Sequence, residues 1–154
     1  MNYEHIVLVN DPTAPQVEPL TLNQLWQGLV VRAEDPVAFM QGLDRCDIVA
    51  RTATGVERAL HFGQTVICDR VHYEHEHRVR YEIPGGADYP DGELVMQIEQ
   101  PAPGCMIVRF IYRLGAPIAA DDDQYQDIVQ QAWHESDLDT IRKIRELAAA
   151  GRLG

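Results

Sequence analysis

DDDQYQDIVQQAWHESDLDTIRKIRELAAAG, residues 121–151, reads as one long amphipathic helix, and the rest of the chain is arranged to fit it. Asp121, Asp122 and Asp123 supply an N-cap and place negative charge at the positive end of the helix dipole, and Asp123 with Gln126 has capping-box spacing. Arg142, Lys143, Arg145 and Arg152 complement the other end, where Gly151 suits the C′ position. Tyr125, Ile128, Val129 and Ala132 form an apolar stripe that rotates through Trp133, Ile141, Ile144, Leu147 and Ala148, with Leu138 falling off it. About 26 helical residues at about 1.5 Å each span roughly 39 Å, enough to cross the face of a whole sheet.

The segments upstream supply that sheet. Tyr3 to Asn10 is rich in β-branched residues and reads as a first strand, closed by the turn-forming Asn10-Asp11-Pro12. Thr21 and Gln24 make a second capping-box spacing, ahead of Leu22, Leu25, Trp26, Leu29 and Val30 at helical intervals. Asp35 followed by Pro36 starts another short helix through Phe39 and Met40, stopped near Gly42. Six β-forming runs follow, Arg45 to Thr54, Val56 to Phe62, Thr65 to Glu74, Arg78 to Pro84, Glu93 to Gln100 and Cys105 to Leu114. Their connections are too short for parallel crossovers, so the six form an antiparallel meander.

Turn spacing predicts register. A two-residue turn at Gly63-Gln64 puts Phe62 opposite Thr65, Leu60 opposite Ile67, and Val56 opposite Val71. The same register sets Arg58 opposite Asp69, a charge pair on an otherwise apolar face. A three-residue loop at His75-Glu76-His77 is needed for Tyr73 and Tyr81 to share that face. A turn around Pro101-Ala102-Pro103 predicts pairing of Ile98 with Met106, Met96 with Val108 and Leu94 with Phe110, with Tyr112 on the same side and Arg109 and Arg113 pointing outward.

Composition narrows the function classes. A chain of 154 residues with 45% hydrophobic content fits one domain over residues 1–154, with one sizeable core. A formal net charge of -11 argues against nucleic acid or an anionic membrane as partner, because both demand clustered Lys and Arg. The opening MNYEHIVLVN lacks a basic region followed by an apolar run, and no stretch has the apolar length of a membrane span, so a cytoplasmic protein without membrane insertion is expected. Cys46, Cys68 and Cys105 are odd in number and widely spaced, and read as reduced core or near-core thiols.

Strand, two short helices, six antiparallel strands and a long final helix is the element order of the α+β helix-grip fold. The chain resembles the START-like, or SRPBCC, superfamily (Bet v 1-like), and within it the AtaL-like branch, whose function is largely undefined. The matching residues are Glu4-His5 with Val7, Val9 and Asn10; Leu25-Trp26 with Gly28-Leu29-Val30 and Arg32-Ala33; Pro103-Gly104 with Val108-Arg109-Phe110 and Tyr112; and Gln131-Ala132 with Asp137, Asp139-Thr140-Ile141, Ile144 and Arg145. The resemblance implies a seven-stranded curved antiparallel sheet wrapped around the long C-terminal helix, with an elongated, mostly apolar cavity between them. It also implies ligands such as lipids, sterols, hormones or polyketides, cyclase activity in some relatives, an adaptor role in others, and frequent homodimers.

Eleven side chains are the candidates for lining that cavity: Trp26, Phe39, Arg58, Phe62, Asp69, Tyr73, Tyr81, Phe110, Tyr112, Tyr125 and Trp133. Aromatic residues at these spacings serve either as plain core or as the walls of an apolar pocket. Arg58 with Asp69 is either a structural pair or a device in which Arg58 orients a ligand carboxylate, enolate or carbonyl oxygen. On a strand alternate residues point to opposite faces, so His72 cannot join His75 without the turn, and His75 and His77 with Glu76 at an exposed tip are too few ligands to close a structural zinc site, so no metal is expected. His5 and His61 are conceivable acid–base groups, but each sits alone in an apolar strand and reads rather as a satisfied structural histidine. Signatures of nucleotide cofactors and of hydrolase or metalloprotease chemistry are missing, so neither a cofactor nor a catalytic residue is assigned. The reading favours a protein that binds a hydrophobic, aromatic or polyketide-like small molecule over a cyclase or aromatase-type enzyme using the same cavity, and over a protein–protein adaptor.

Overall fold

In the computed structural model the described residues are 2–86, 90–115 and 123–153, without the side chains of residues 123 and 125. The strands are β1 (Asn2–Asn10), β2 (Arg45–Arg51), β3 (Gly55–Phe62), β4 (Thr65–Glu74), β5 (Arg78–Ile83), β6 (Gly92–Ala102) and β7 (Cys105–Leu114). Helices α1 (Leu22–Glu34) and α2 (Asp123–Ala149) complete the fold. The strands form one antiparallel sheet in the order β1-β7-β6-β5-β4-β3-β2, so the first strand closes the meander by pairing with the last. Register shifts at Leu8/Asn10, Ile48/Ala50 and Glu99/Ala102 are the bulges that bend such a sheet. The extra residue in β2, Val49, is 62% exposed.

Local chemistry explains the element ends. The capping box at α1 is complete, with Thr21 Oγ1 accepting from the Gln24 backbone and Gln24 Oε1 accepting from the Thr21 backbone, each at 3.0 Å. The second short helix, expected through Met40, is instead a 3-10 turn over Pro36–Ala38, because Asp35 makes no side-chain cap and the chain reverses at Gly42, φ +83°, to enter β2. Gly151, φ +70°, takes the C′ position of α2. Its N–H bonds Ala148 O and that of Arg152 bonds Leu147 O, the paired bonds of a Schellman motif. The predicted aspartate N-cap rests on Asp121, Asp122 and the Asp123 side chain, which lie outside the described residues.

The β3–β4 register is as predicted, with Arg58 opposite Asp69, and the β4–β5 loop has its three residues. The β6–β7 register differs by two. Ile98 pairs with Val108, Met96 with Phe110 and Leu94 with Tyr112. The strands run on to Ala102 opposite Cys105, the two-residue turn is Pro103-Gly104, and the bulge absorbs Gln100 and Pro101. An even shift keeps each side chain on its face. The outward Arg109 accordingly lies 2.6 Å from both Glu4 and Glu99.

Helix α2 does not bury the stripe predicted for its first half. Ile128 is 61% exposed and Ala132 is also exposed. The inward line runs through Trp133, Asp137, Thr140, Ile141, Ile144 and Ala148, and Leu138 points to solvent. Two polar residues in that line hide its period from hydropathy. Cys68 is exposed rather than near-core, since its neighbour Asp69 takes the inward position. The core joins α1 and α2 to the inner sheet face through Leu25, Leu29, Val56, Val71, Met96, Val108, Phe110 and Ile144. Among the described residues no helix is long and apolar enough to cross a membrane.

Candidate functional site

The concave side of the sheet and the inward faces of α1 and α2 enclose a row of polar side chains. At one end, Arg58 of β3 donates from Nε to Asp69 Oδ1 at 2.9 Å and from Nη2 to Asp69 Oδ2 at 2.6 Å. Its Nη1 donates to Ala33 O at 2.7 Å, tying the sheet to the end of α1. Arg58 is 2% exposed. Burial works against its charge, but the Asp69 hydrogen bonds and charge hold the guanidinium above its ordinary value.

Next along the row is Tyr81 of β5, with the guanidinium of Arg58 5.1 Å and that of Arg32 5.3 Å from its ring centre. Arg32 reaches this position because it follows Leu25 and Leu29 on the buried face of α1, and its Nε donates to Thr140 Oγ1 of α2 at 3.3 Å. One turn earlier on α2, Asp137 accepts from the Tyr112 hydroxyl, 2.7 Å from each carboxyl oxygen, and lies 2.6 Å from Nε2 of His5. Burial pushes the Asp137 carboxyl up, although both hydrogen bonds oppose it. Burial, and then the charge of Asp137, push the Tyr112 phenol well above its ordinary value, so it remains a donor. Nδ1 of His5 is 3.3 Å from Nδ1 of His134, and its ring stacks on Phe110 at 5.3 Å.

An aromatic platform flanks this acid. Tyr112 and Trp133 stack at 4.3 Å and 7°, with Tyr3 5.9 Å from Trp133 and 6.1 Å from Tyr112. The stack bridges the last strand to the last helix.

Trp26, Phe39 and Tyr73 belong to the same core but also border surface pockets. Trp26 and Tyr73 meet edge to face at 6.1 Å beside a surface pocket of about 470 Å³ that also takes in Val30, Glu34, Arg51 and Val56. Tyr73 donates to Glu34 at 2.8 Å. Phe39 lines a separate groove of about 600 Å³ against the exposed side of α2. Phe62 is half-buried near the β3–β4 turn, and the Tyr125 side chain lies outside the described residues. Trp26, Phe39, Tyr81, Phe110 and Tyr112 share one core, Tyr73 and Trp133 pack against it, the buried Arg58–Asp69 pair lies beside Tyr81, and Phe62 sits near its turn. His75 and His77 lie exposed at the loop tip, and among the described residues no three His, Cys, Asp or Glu are placed to share a metal ion. His61 contacts Asp47 and Arg45 near the sheet edge.

Arg32, Asp137, His5 and His134 escaped the candidate set. The signal for the first two was present: Arg32 follows Leu29 at i+3, and Asp137 lies midway between Trp133 and Ile141 at i±4. Each is a charge in an apolar stripe.

This architecture is the helix-grip fold of the START-like superfamily. The family model described as "Acetylaranotin biosynthesis cluster protein L" (AtaL) matches residues 7–151, and the chain belongs to that family. No curated protein matches it. Among solved structures it is similar to TTHA0849 from Thermus thermophilus, at 13% identity and a TM-score of 0.68 over 98% of this chain and 99% of that one. It is similar to the Zhui aromatase/cyclase from Streptomyces sp. R1128, at 13% identity and TM-score 0.62 over 96% and 95% of the two chains. The di-domain ARO/CYC StfQ of the steffimycin biosynthetic pathway gives 10% identity and TM-score 0.70 over 97% of this chain and 51% of that one.

Proposed function

We propose that this protein binds a hydrophobic, partly aromatic small molecule between the concave face of the sheet and α2. The observation that carries the reading is the Tyr112–Trp133 stack, a flat aromatic surface lying beside the buried Asp137. Flat aromatic walls with a few convergent polar groups are the common chemistry of small-molecule sites. The family description names a biosynthesis cluster, and two similar folds are aromatase/cyclases, which fits a polycyclic or polyketide-like ligand. Native mass spectrometry of protein purified without denaturant is expected to show a released small molecule, and Trp133→Leu to weaken binding of N-phenyl-1-naphthylamine by about tenfold. Protein that carries no ligand and binds no such probe would overturn the reading.

A second reading, a cyclase-type enzyme, draws on the interior row itself, because the two arginines place positive potential where an enolising carbonyl gains charge, and Tyr112 holds Asp137 beside it. It predicts that Tyr112→Phe and Arg58→Leu slow cyclisation of a poly-β-keto substrate. Flat kinetics across both variants would remove it.

A further inference from the structure

We propose that Arg32 and the Tyr81 hydroxyl together form the recognition point for an acidic oxygen of the interior ligand: a carboxylate, enolate or phenolate carried on its hydrophobic frame. The proposal rests on the small-molecule reading above and adds the chemical class of the ligand.

Two unmet demands meet at one ring. Arg32 is 6% exposed, yet among the described residues its guanidinium reaches only a neutral acceptor, Thr140 Oγ1, through Nε. No carboxylate among them lies within ion-pair distance of it, whereas Arg58, over the same ring, has both oxygens of Asp69. Of the two buried guanidinium groups only Arg58 has a carboxylate at ion-pair distance among the described residues; Arg32 acts on Asp137 through its charge without an ion-pair contact. Tyr81 is 3% exposed, and its hydroxyl is buried without a hydrogen-bond partner. A buried cation with no carboxylate in contact and a buried hydroxyl lacking an acceptor are each costly, and such deficits are tolerated where they serve a site.

Both deficits call for the same thing. The Nη groups of Arg32 and the hydroxyl of Tyr81 can all donate, so one anionic oxygen centre satisfies them together. Asp137, one turn from Thr140 on α2, is not that acceptor: Tyr112 donates to both of its oxygens and His5 holds Oδ2. Thr140 fixes the guanidinium through Nε and leaves its paired Nη face free, which is the face that receives carboxylates. Arg58, 5.1 Å from the same ring centre, adds positive potential while its own donors are spent on Asp69 and Ala33.

Two fluorescent probes with one aromatic frame test this. 8-Anilinonaphthalene-1-sulfonate carries an anionic group, and N-phenyl-1-naphthylamine lacks it. The native protein is expected to bind the sulfonate more tightly. Arg32→Met should weaken the sulfonate by about tenfold or more and change the neutral probe by less than about twofold, and Tyr81→Phe should weaken the sulfonate alone by about threefold to tenfold. Tyr81→Phe removes one oxygen and keeps the ring, so it carries the test if Arg32→Met does not fold. An unchanged ratio of the two affinities in the variants overturns the recognition point while leaving interior binding standing. Failure of both probes to bind the native protein overturns both.

Discussion

The Tyr112 hydroxyl lies 2.7 Å from both carboxyl oxygens of Asp137, joining the last strand to the last helix where Asp137 has no solvent exposure. Asp137 also meets His5 of β1, so one carboxyl ties α2 to two adjacent strands at the edge where the sheet closes. A buried acid held this way orders the helix on the sheet more sharply than an apolar contact, since its partners are fixed in direction.

Its proton sets a pH dependence. Burial raises the folded-state pKa of Asp137 above the ordinary 3.8, so between those two values the folded state binds more protons than the unfolded one. The contribution of Asp137 to stability is therefore full in acid, below the unfolded value, and is lost as pH rises through the folded pKa. Tyr112, His5 and Arg32 are the titratable and charged groups facing it. Urea denaturation from pH 7 to pH 4 should show the stability of the native protein rising relative to Asp137→Asn. A gap independent of pH would refute the assignment. Tyr112→Phe should cost about 1–3 kcal/mol at pH 7.

The Arg58–Asp69 pair gives a non-additive pattern. Both side chains are nearly fully buried and bonded at two points. Asp69→Leu alone or Arg58→Met alone leaves an uncompensated buried charge and should cost about 3–5 kcal/mol, whereas the double variant should cost markedly less than the sum. Chemical denaturation of the four proteins measures the coupling, and simple additivity would contradict it.

The fold was readable because its cues are local: a two-residue turn at Gly63-Gln64 dictates β3–β4 pairing, and Thr21 and Gln24 mark where α1 begins. The β6–β7 register was misread because Pro101 and Pro103 both announce turns, and only the glycine after the second, φ +74°, can take the reversing conformation. Site residues were harder for a different reason. Arg58 and Asp69 could be paired across one turn, but Asp137 meets His5 from 132 residues away and Arg32 meets Thr140 from 108, and no spacing rule relates them. Hydropathy scored Asp137 and Thr140 as polar and so rotated the stripe of α2 toward Ile128, which is solvent-exposed.

Alkaline titration distinguishes the buried phenols. Burial and the adjoining Glu34 push Tyr73 far above the ordinary tyrosine value, and burial with Asp137 does the same to Tyr112. Of the six tyrosines in the chain, at most four should ionise by about pH 11 while the protein stays folded, read from absorbance at about 295 nm. Tyr112→Phe should leave that early amplitude unchanged and shrink the late one. Loss of early amplitude would show that Tyr112 ionises freely.

The contact between α1 and α2 makes a prediction whose sign reverses with background. Gly28 faces Ile144, and a methyl group added there would sit 2.4 Å from Ile144 Cγ2 and 2.7 Å from Cγ1. Alanine is favoured over glycine in a helix interior by about 1 kcal/mol, but overpacking a filled contact costs about 1–3 kcal/mol. Gly28→Ala in the native chain should therefore be neutral to destabilising by about 2 kcal/mol. Ile144→Ala, itself costing about 2–5 kcal/mol through the cavity it leaves, removes both colliding carbons. In that background Gly28→Ala should stabilise by up to about 1 kcal/mol, as helix propensity acts without the clash. Urea midpoints of the four chains read the reversal. Equal effects of Gly28→Ala in both backgrounds would mean that the helices separate to admit the methyl, and that Gly28 does not set their approach.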